Sequence, residues 1–256
     1  MAGSKSVPSP AVSQALAILR LLGREAEPLG VTMIARRLAI SPSSCFNLLK
    51  TLHAEDMVEF DEATKRYRLG LGPVDIARMA LRSDAVVPLA RTVMQALAER
   101  QDAAIGLWRT MSADRLTLIA LAESESATRI HMTVGQRQPI GSGATGRAVL
   151  AASGADDAVL ARAHGEVRWP RPLTLDQYLG QVAEARAKGY AVDREWLNPG
   201  ITTVAAAIPN PDGPVRYGLS CSAFSGMLGS EAIASLGRQM AEYALRIARQ
   251  AYGEAV

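Results

Sequence analysis

The chain has 256 residues, 48% of them hydrophobic, enough apolar material for two ordinary domains with separate cores. Its formal charge is only +3 and is spread evenly: residues 1–72 carry nine basic against seven acidic side chains, residues 73–256 nineteen against eighteen, so charge marks no nucleic-acid-binding half. No apolar run approaches the roughly 20 residues of a membrane span, and Cys45 and Cys221 belong to no CxxC or Cys/His cluster, so neither a disulfide framework nor a zinc site is expected and both read as small core residues.

The opening MAGSKSVPSP has no apolar signal-peptide stretch, which makes the cytoplasm the expected compartment, and residues 1–10 read as a disordered leader. In VSQALAILRLLG, Val12, Leu16, Leu19 and then Leu22 or Gly23 recur at helical spacing, predicting an amphipathic helix that stops at glycine. VTMIARRLAI puts Ile34, Ala35 and Leu38 on one face and Arg36 and Arg37 on the other, with Thr32 expected as N-cap. After a short break, SPSSCFNLLKTLHAEDMV predicts a helix capped by Ser41, opened by Pro42 and packed through Leu48, Leu49 and Leu52.

Two short helices across a tight break form a helix-turn-helix pattern, and the polar residues fall at the start of the second helix, where a recognition helix meets the major groove. MVEFDEATKRYRLG then reads as a hairpin with a charged tip, a wing whose Lys65, Arg66 and Arg68 would reach phosphates or the minor groove. The expected DNA-facing set is Arg36, Ser43, Ser44, Phe46, Asn47, Lys50, Lys65 and Arg66. The plainer reading is a small helical subdomain with solvated charges. Short break, polar first turn and basic wing within residues 11–70 favour DNA binding over that reading and over a DNA-free dimerisation module.

Residues 71–84 predict a linker helix with Ile76, Met79, Ala80 and Val86 on one stripe, a surface suited to packing on a second copy or on the chain's own C-terminal part. Residues 85–254 alternate between element types: a helix through PLARTVMQALAERQ, strands AAIGLWRTM, RLTLIALAE and ATRIHMTVG, a helix in SGATGRAVLAAS, a helix ending near Gly189, strands ITTVAAAIP and VRYGLSCSAF, and a long amphipathic helix to Tyr252. The expected fold class is α+β in two domains: an N-terminal winged helix-turn-helix, a linker helix, and an antiparallel sheet whose helices cover one face and leave the other for a ligand.

Asp193 and Glu195, two apart, would share one side of an extended segment and form a candidate metal or acid/base pair; the ordinary role of such a pair is ordering a loop. A metal would need more ligands, and His131 and His164 stand in no ligand-spaced motif, so no metal and no cofactor are expected. Arg129 and His131 would share a strand face that either meets an anionic effector or is simply solvated, and they are left out of the expected site. Among the tryptophans, Trp196, beside the carboxylates, is the expected aromatic wall of a pocket. The rival class is an enzyme processing a small molecule with pocket carboxylates and serines. Without a GxSxG elbow, a P-loop or HExxH, no catalytic residue is assigned.

The phrases VSQALAILRLL, TMIARRLAISPSSCFNLLKTL, KRYRLG, VGQRQPIGSGATGRAVLAA, KGYAVDREWLNPGITTVAAAI and PDGPVRYGLSCS, in this order from about Val12 to Tyr252, resemble the IclR family of bacterial regulators. The resemblance implies a winged helix-turn-helix repressor or activator, a homodimer or dimer of dimers on a pseudo-palindromic duplex operator, with a GAF/PAS-like domain that binds a small organic or aromatic acid and controls catabolic or related genes. It further implies an effector pocket of Gly143, Ala144, Thr145, Asp193, Glu195, Thr203, Ser220 and Ser222. Backbone N–H groups where the GATGRA helix starts suit a carboxylate, and Ser220 and Ser222 share a strand face. The chain departs from the pattern at Thr203, where the family often has cysteine, at Gly141, where it typically has histidine, and at Asn47, where arginine is customary. These changes argue against the smallest oxo-acids and for an altered operator, since asparagine reads adenine.

Overall fold

The computed structural model describes residues 9–82, 85–112, 114–125 and 130–253, with residues 78–82 described by backbone alone. It divides into two compact units, Met1–Ser83 and Asp84–Val256. No helix among the described residues is long and apolar enough to cross a membrane.

The N-terminal unit runs α1 (Pro10–Leu22), α2 (Val31–Leu38), α3 (Pro42–Ala54), β1 (Val58–Asp61), β2 (Arg66–Leu69) and α4 (Gly72–Arg82). Residues 1–8 of the expected leader lie outside the described residues, and Pro10 already occupies the first helical turn, where its missing N–H costs nothing. The core gathers Ile18, Leu22, Ile34, Ala35, Cys45, Leu49, Leu52, Val58 and Tyr67. This corrects the stripe expected on α1: Ile18 is buried and Leu19 half-buried, whereas Val12 and Leu16 are exposed. α2 starts from Gly30 rather than Thr32 and has no side-chain cap. Ser41 caps α3 as its position requires, its Oγ accepting the Ser44 N–H at 3.0 Å. The hairpin pairs Val58 with Leu69 and Asp61 with Arg66, and backbone bonds between Leu29 and Tyr67 tie it to the chain ahead of α2.

The C-terminal unit comprises α5 (Val86–Gln101), β3 (Ala104–Ser112), β4 (Arg115–Glu123), β5 (Arg137–Pro139), α6 (Gly143–Ala152), α7 (Asp157–Gly165), α8 (Leu175–Lys188), β6 (Ala191–Arg194), β7 (Ile201–Ile208), β8 (Tyr217–Phe224) and α9 (Ser230–Tyr252). Its strands form an antiparallel sheet in the order β5-β4-β3-β8-β7-β6. The expectation of one open face is corrected. α6, α7 and α8 share a core with Trp108, Leu116, Leu118, Ala191 and Ala205 on one side, and α5 and α9 pack on the other. Val86 is buried within α5's unit and does not continue the linker stripe, whose Met79 and Ala80 side chains lie outside the described residues.

Three local readings differ. Residues 130–133 are unpaired and the strand falls at Arg137–Pro139, because a turn closes from Gln136 N–H to Thr133 O with Gly135 at φ 92. Arg129, expected to share a face with His131, lies outside the described residues. Helix α7 and strand β6 were not anticipated: α7 is short and capped by Asp156, and β6 follows α8 at once, after Gly189 ends that helix in the left-handed region.

Candidate functional site

A cavity of about 180 Å³ opens in the C-terminal unit where α6 begins against the sheet. Gly143, Ala144 and Thr145 of α6, Asp193 of β6, Thr203 of β7 and Ser220 and Ser222 of β8 all line it. Seven of the eight residues expected there are thus brought together. Glu195 is not among the lining residues. β6 ends at Arg194 and Glu195 adopts φ 65, which breaks the alternation that would have placed it beside Asp193.

The start of α6 forms one end of the cavity. Ser142 at the N-cap makes no side-chain capping bond, and the residues of the first turn, Gly143, Ala144 and Thr145, whose N–H groups lie at the positive end of the helix dipole, line the cavity. Gly143 turns the chain there at φ 57, and a Cβ at this residue would meet the Leu197 side chain at 3.0 Å. Gly141 lies tighter still, since a Cβ there would fall 2.3 Å from the Ala163 carbonyl oxygen of α7.

The hydroxyls on the sheet are paired with one another. Thr203 Oγ1 and Ser222 Oγ are 2.9 Å apart, and the Trp108 indole N–H donates to Ser220 Oγ at 3.0 Å. Trp108 is therefore the aromatic wall. Trp196 does not line the cavity; it is half-buried beneath the Arg171 guanidinium, 4.5 Å from the ring centroid. Met132, Gln136, Gln138 and Asn198, which were not expected from the sequence, share the lining because β5 and the loop after β6 come from distant parts of the chain.

Asp193 is engaged on both oxygens. Oδ1 accepts the N–H groups of Trp196 and Leu197 at 3.1 and 3.2 Å, and Oδ2 accepts from Arg147 Nη2 at 2.7 Å. Arg147 is wholly buried, and a lone cation amid the small residues of GATGRAVLAA was the sequence signal for such a partner. No cluster of three or more potential metal ligands occurs among the described residues.

In the N-terminal unit, α3 buries Cys45, Leu49 and Leu52, a spacing that turns Ser43, Ser44, Phe46, Asn47 and Lys50 outward. Arg36 is exposed in the last turn of α2, and Lys65 and Arg66 are exposed at the tip of the hairpin. The serine hydroxyls are partly engaged, since Ser41 Oγ lies 3.0 Å from Ser43 Oγ and 2.8 Å from Ser44 Oγ. Arg68 is committed to Glu59, its Nε donating at 2.7 Å, which leaves Lys65 and Arg66 as the leading cations of the wing. Asp61 holds the tip by accepting the N–H groups of Ala63 and Thr64.

Comparison with known proteins follows these two units. Residues 11–62 match the family described as the IclR helix-turn-helix domain, and residues 78–249 match the bacterial transcriptional regulator IclR C-terminal domain. The transcriptional regulator BhcR of Paracoccus denitrificans is 30% identical over 222 residues, 83% of this chain and 76% of that protein. An IclR transcriptional regulator from Alicyclobacillus acidocaldarius has a similar structure, with TM-score 0.82 and 27% identity over 96% of this chain and all (100%) of that one. An IclR homologue from Microbacterium hydrocarbonoxydans, solved in complex with 4-hydroxybenzoate, has TM-score 0.75 and 18% identity, covering 94% of this chain and 99% of that one. These families and relatives are transcriptional regulators, not enzymes.

Proposed function

From the premise that this chain belongs to the IclR family of bacterial transcriptional regulators, we propose that it binds a pseudo-palindromic operator in the cytoplasm as a homodimer or dimer of dimers and is controlled by a small organic or aromatic acid. The observation that carries the effector half is the cavity itself. At about 180 Å³ it exceeds the roughly 150 Å³ engineered cavity that takes up benzene, and both the first turn of α6 and the Trp108 ring line it. A monocyclic aromatic carboxylate fits that volume and those groups, and 4-hydroxybenzoate, held by the Microbacterium hydrocarbonoxydans homologue, is of this class.

The DNA half rests on α3 and the wing. Asn47 and Phe46 would meet base edges, with asparagine suited to adenine and an apolar ring to the thymine methyl. Arg36, Lys50, Lys65 and Arg66 would meet phosphates, and Ser43 and Ser44 would anchor the helix end. Two copies suit a two-fold operator, and the exposed apolar residues Val12 and Leu16 of α1 and Leu71 and Val74 at α4 offer a surface for the second copy.

The test is a mobility shift on the DNA flanking its own coding region, across a salt series, with and without aromatic acids. A specific shift that weakens with salt and changes with an acid is expected. A shift abolished by competitor DNA at every protein concentration removes the DNA half, and thermal melts unmoved by every acid remove the effector half.

A further inference from the structure

The pocket that would receive an acid is lined by an acid. Asp193 is the only carboxylate among the described lining residues, and an anionic ligand beside a bare carboxylate would be repelled. Arg147 stands behind it, one turn into α6 from Gly143, and does not itself line the cavity. Its Nη2 donates to Asp193 Oδ2 at 2.7 Å and lies 3.2 Å from the Val192 carbonyl oxygen. Nε and Nη1 find no partner among the described residues, and the Tyr178 ring, 6.0 Å away, flanks the guanidinium. The cation is thus committed to one carboxylate.

We infer that Arg147 is a positioning residue that sets the charge selectivity of the pocket. By neutralising Asp193 from outside the cavity it lets the helix N–H groups, rather than the carboxylate, decide what binds. Without it the same cavity would favour a cation over an anion of equal size. The pair also holds the far wall, because the other oxygen of Asp193 carries the N–H groups of Trp196 and Leu197. A strut that only supported the core would weaken all ligands alike; a charge neutraliser changes the order of preference among them.

This inference rests on the acid-effector reading, and its test separates the two. Binding of 4-hydroxybenzoate, 4-hydroxybenzyl alcohol and 4-hydroxybenzylamine, one ring bearing a negative, no and a positive charge, is measured by calorimetry on the full chain and on Arg147→Gln, Asp193→Asn and the double variant. Glutamine and asparagine keep hydrogen-bonding groups in place while removing charge. In Arg147→Gln the acid-to-alcohol affinity ratio should fall about tenfold and the amine should gain, whereas in Asp193→Asn the ratio should rise about tenfold. The double variant should return the ratio toward the wild-type value whatever happens to affinity overall.

If one single variant does not fold, the other still decides, because its shift has the opposite sign. A wild-type chain that prefers the acid, with variants that keep that preference unchanged, overturns the role of Arg147 alone. A wild-type chain that binds none of the three overturns the aromatic-acid assignment and this inference with it, and one that prefers the amine overturns the acid-effector reading as a whole.

Discussion

Arg147 and Asp193 meet at 2.7 Å with side chains 0% and 3% exposed, fastening α6 to β6 at the wall of the pocket. Removing one partner leaves a buried charge uncompensated, so Arg147→Met should cost about 3–5 kcal/mol. Combining it with Asp193→Asn should recover part of that loss, since both charges are then gone and Oδ1 can still accept the loop N–H groups. Urea midpoints of the two singles and the double give the coupling; strictly additive losses would mean that the pair is not a unit.

Asn47 and Arg66 are both exposed, one on α3 and one on the wing, and should fail differently. Asn47→Ala should relax sequence preference at one operator position by about 1–3 kcal/mol. Arg66→Ala should weaken all sequences together and lower the salt slope by about 1. Competition binding against single-base operator variants, repeated at two salt concentrations, distinguishes them. An equal loss of specificity in both would contradict these roles.

Leu71 is 70% exposed and Val74 43% exposed, an unusual pair of apolar side chains to leave in water. Leu71→Glu with Val74→Glu should shift the chain toward monomer in sedimentation velocity and weaken operator binding, while the thermal midpoint of each unit stays close to wild type. Unchanged sedimentation would place the dimer contact elsewhere.

Introducing at Gly141 the histidine that the family resemblance led us to expect there should be unfavourable in this chain. The new Cβ must push back the α7 backbone from 2.3 Å, and overpacking of this kind costs about 1–3 kcal/mol. Thermal unfolding of Gly141→His measures it; a neutral result would mean that α7 yields freely.

Both thiols should be silent in the folded protein. Burial pushes the Cys221 pKa up to about 12 and raises that of Cys45, and the thiolate is the reactive form. With a disulfide reagent at pH 8, neither should react until denaturant unfolds the unit that contains it. Prompt labelling of one thiol would identify a unit that opens readily.

Much of this was legible in the chain because it is local. The Ser41 cap, the break before α3 and the outward set from Ser43 to Lys50 follow from spacing on a single helix, and the serine pair of β8 follows from the period of a strand. Other readings failed where the outcome depended on neighbours. Leu22 of the expected α1 stripe is buried, but Val12 and Leu16 are not, and Ile18 takes the core position because α2 and α3 approach α1 from that side. Trp196 stands next to Asp193 in sequence yet outside the cavity, while Trp108, 85 positions away from Asp193, walls it through the pairing of β3 with β8.

The sequence by itself determined the two-unit order, the polar outward start of α3 with the basic hairpin after it, and the glycine turn that opens α6, because each is written in the periodicity and backbone preferences of consecutive residues. Only the tertiary structure decided the pocket. Cross-strand register placed Thr203 against Ser222 and Gly106 against Ser220, so that Trp108, two residues along β3, reaches Ser220 diagonally; the left-handed turn at Glu195 withdrew one carboxylate, and the packing of α6 on β6 put Arg147 behind the other. Charge compensation in a buried site is a matter of distance through space, and spacing along the chain does not fix that distance.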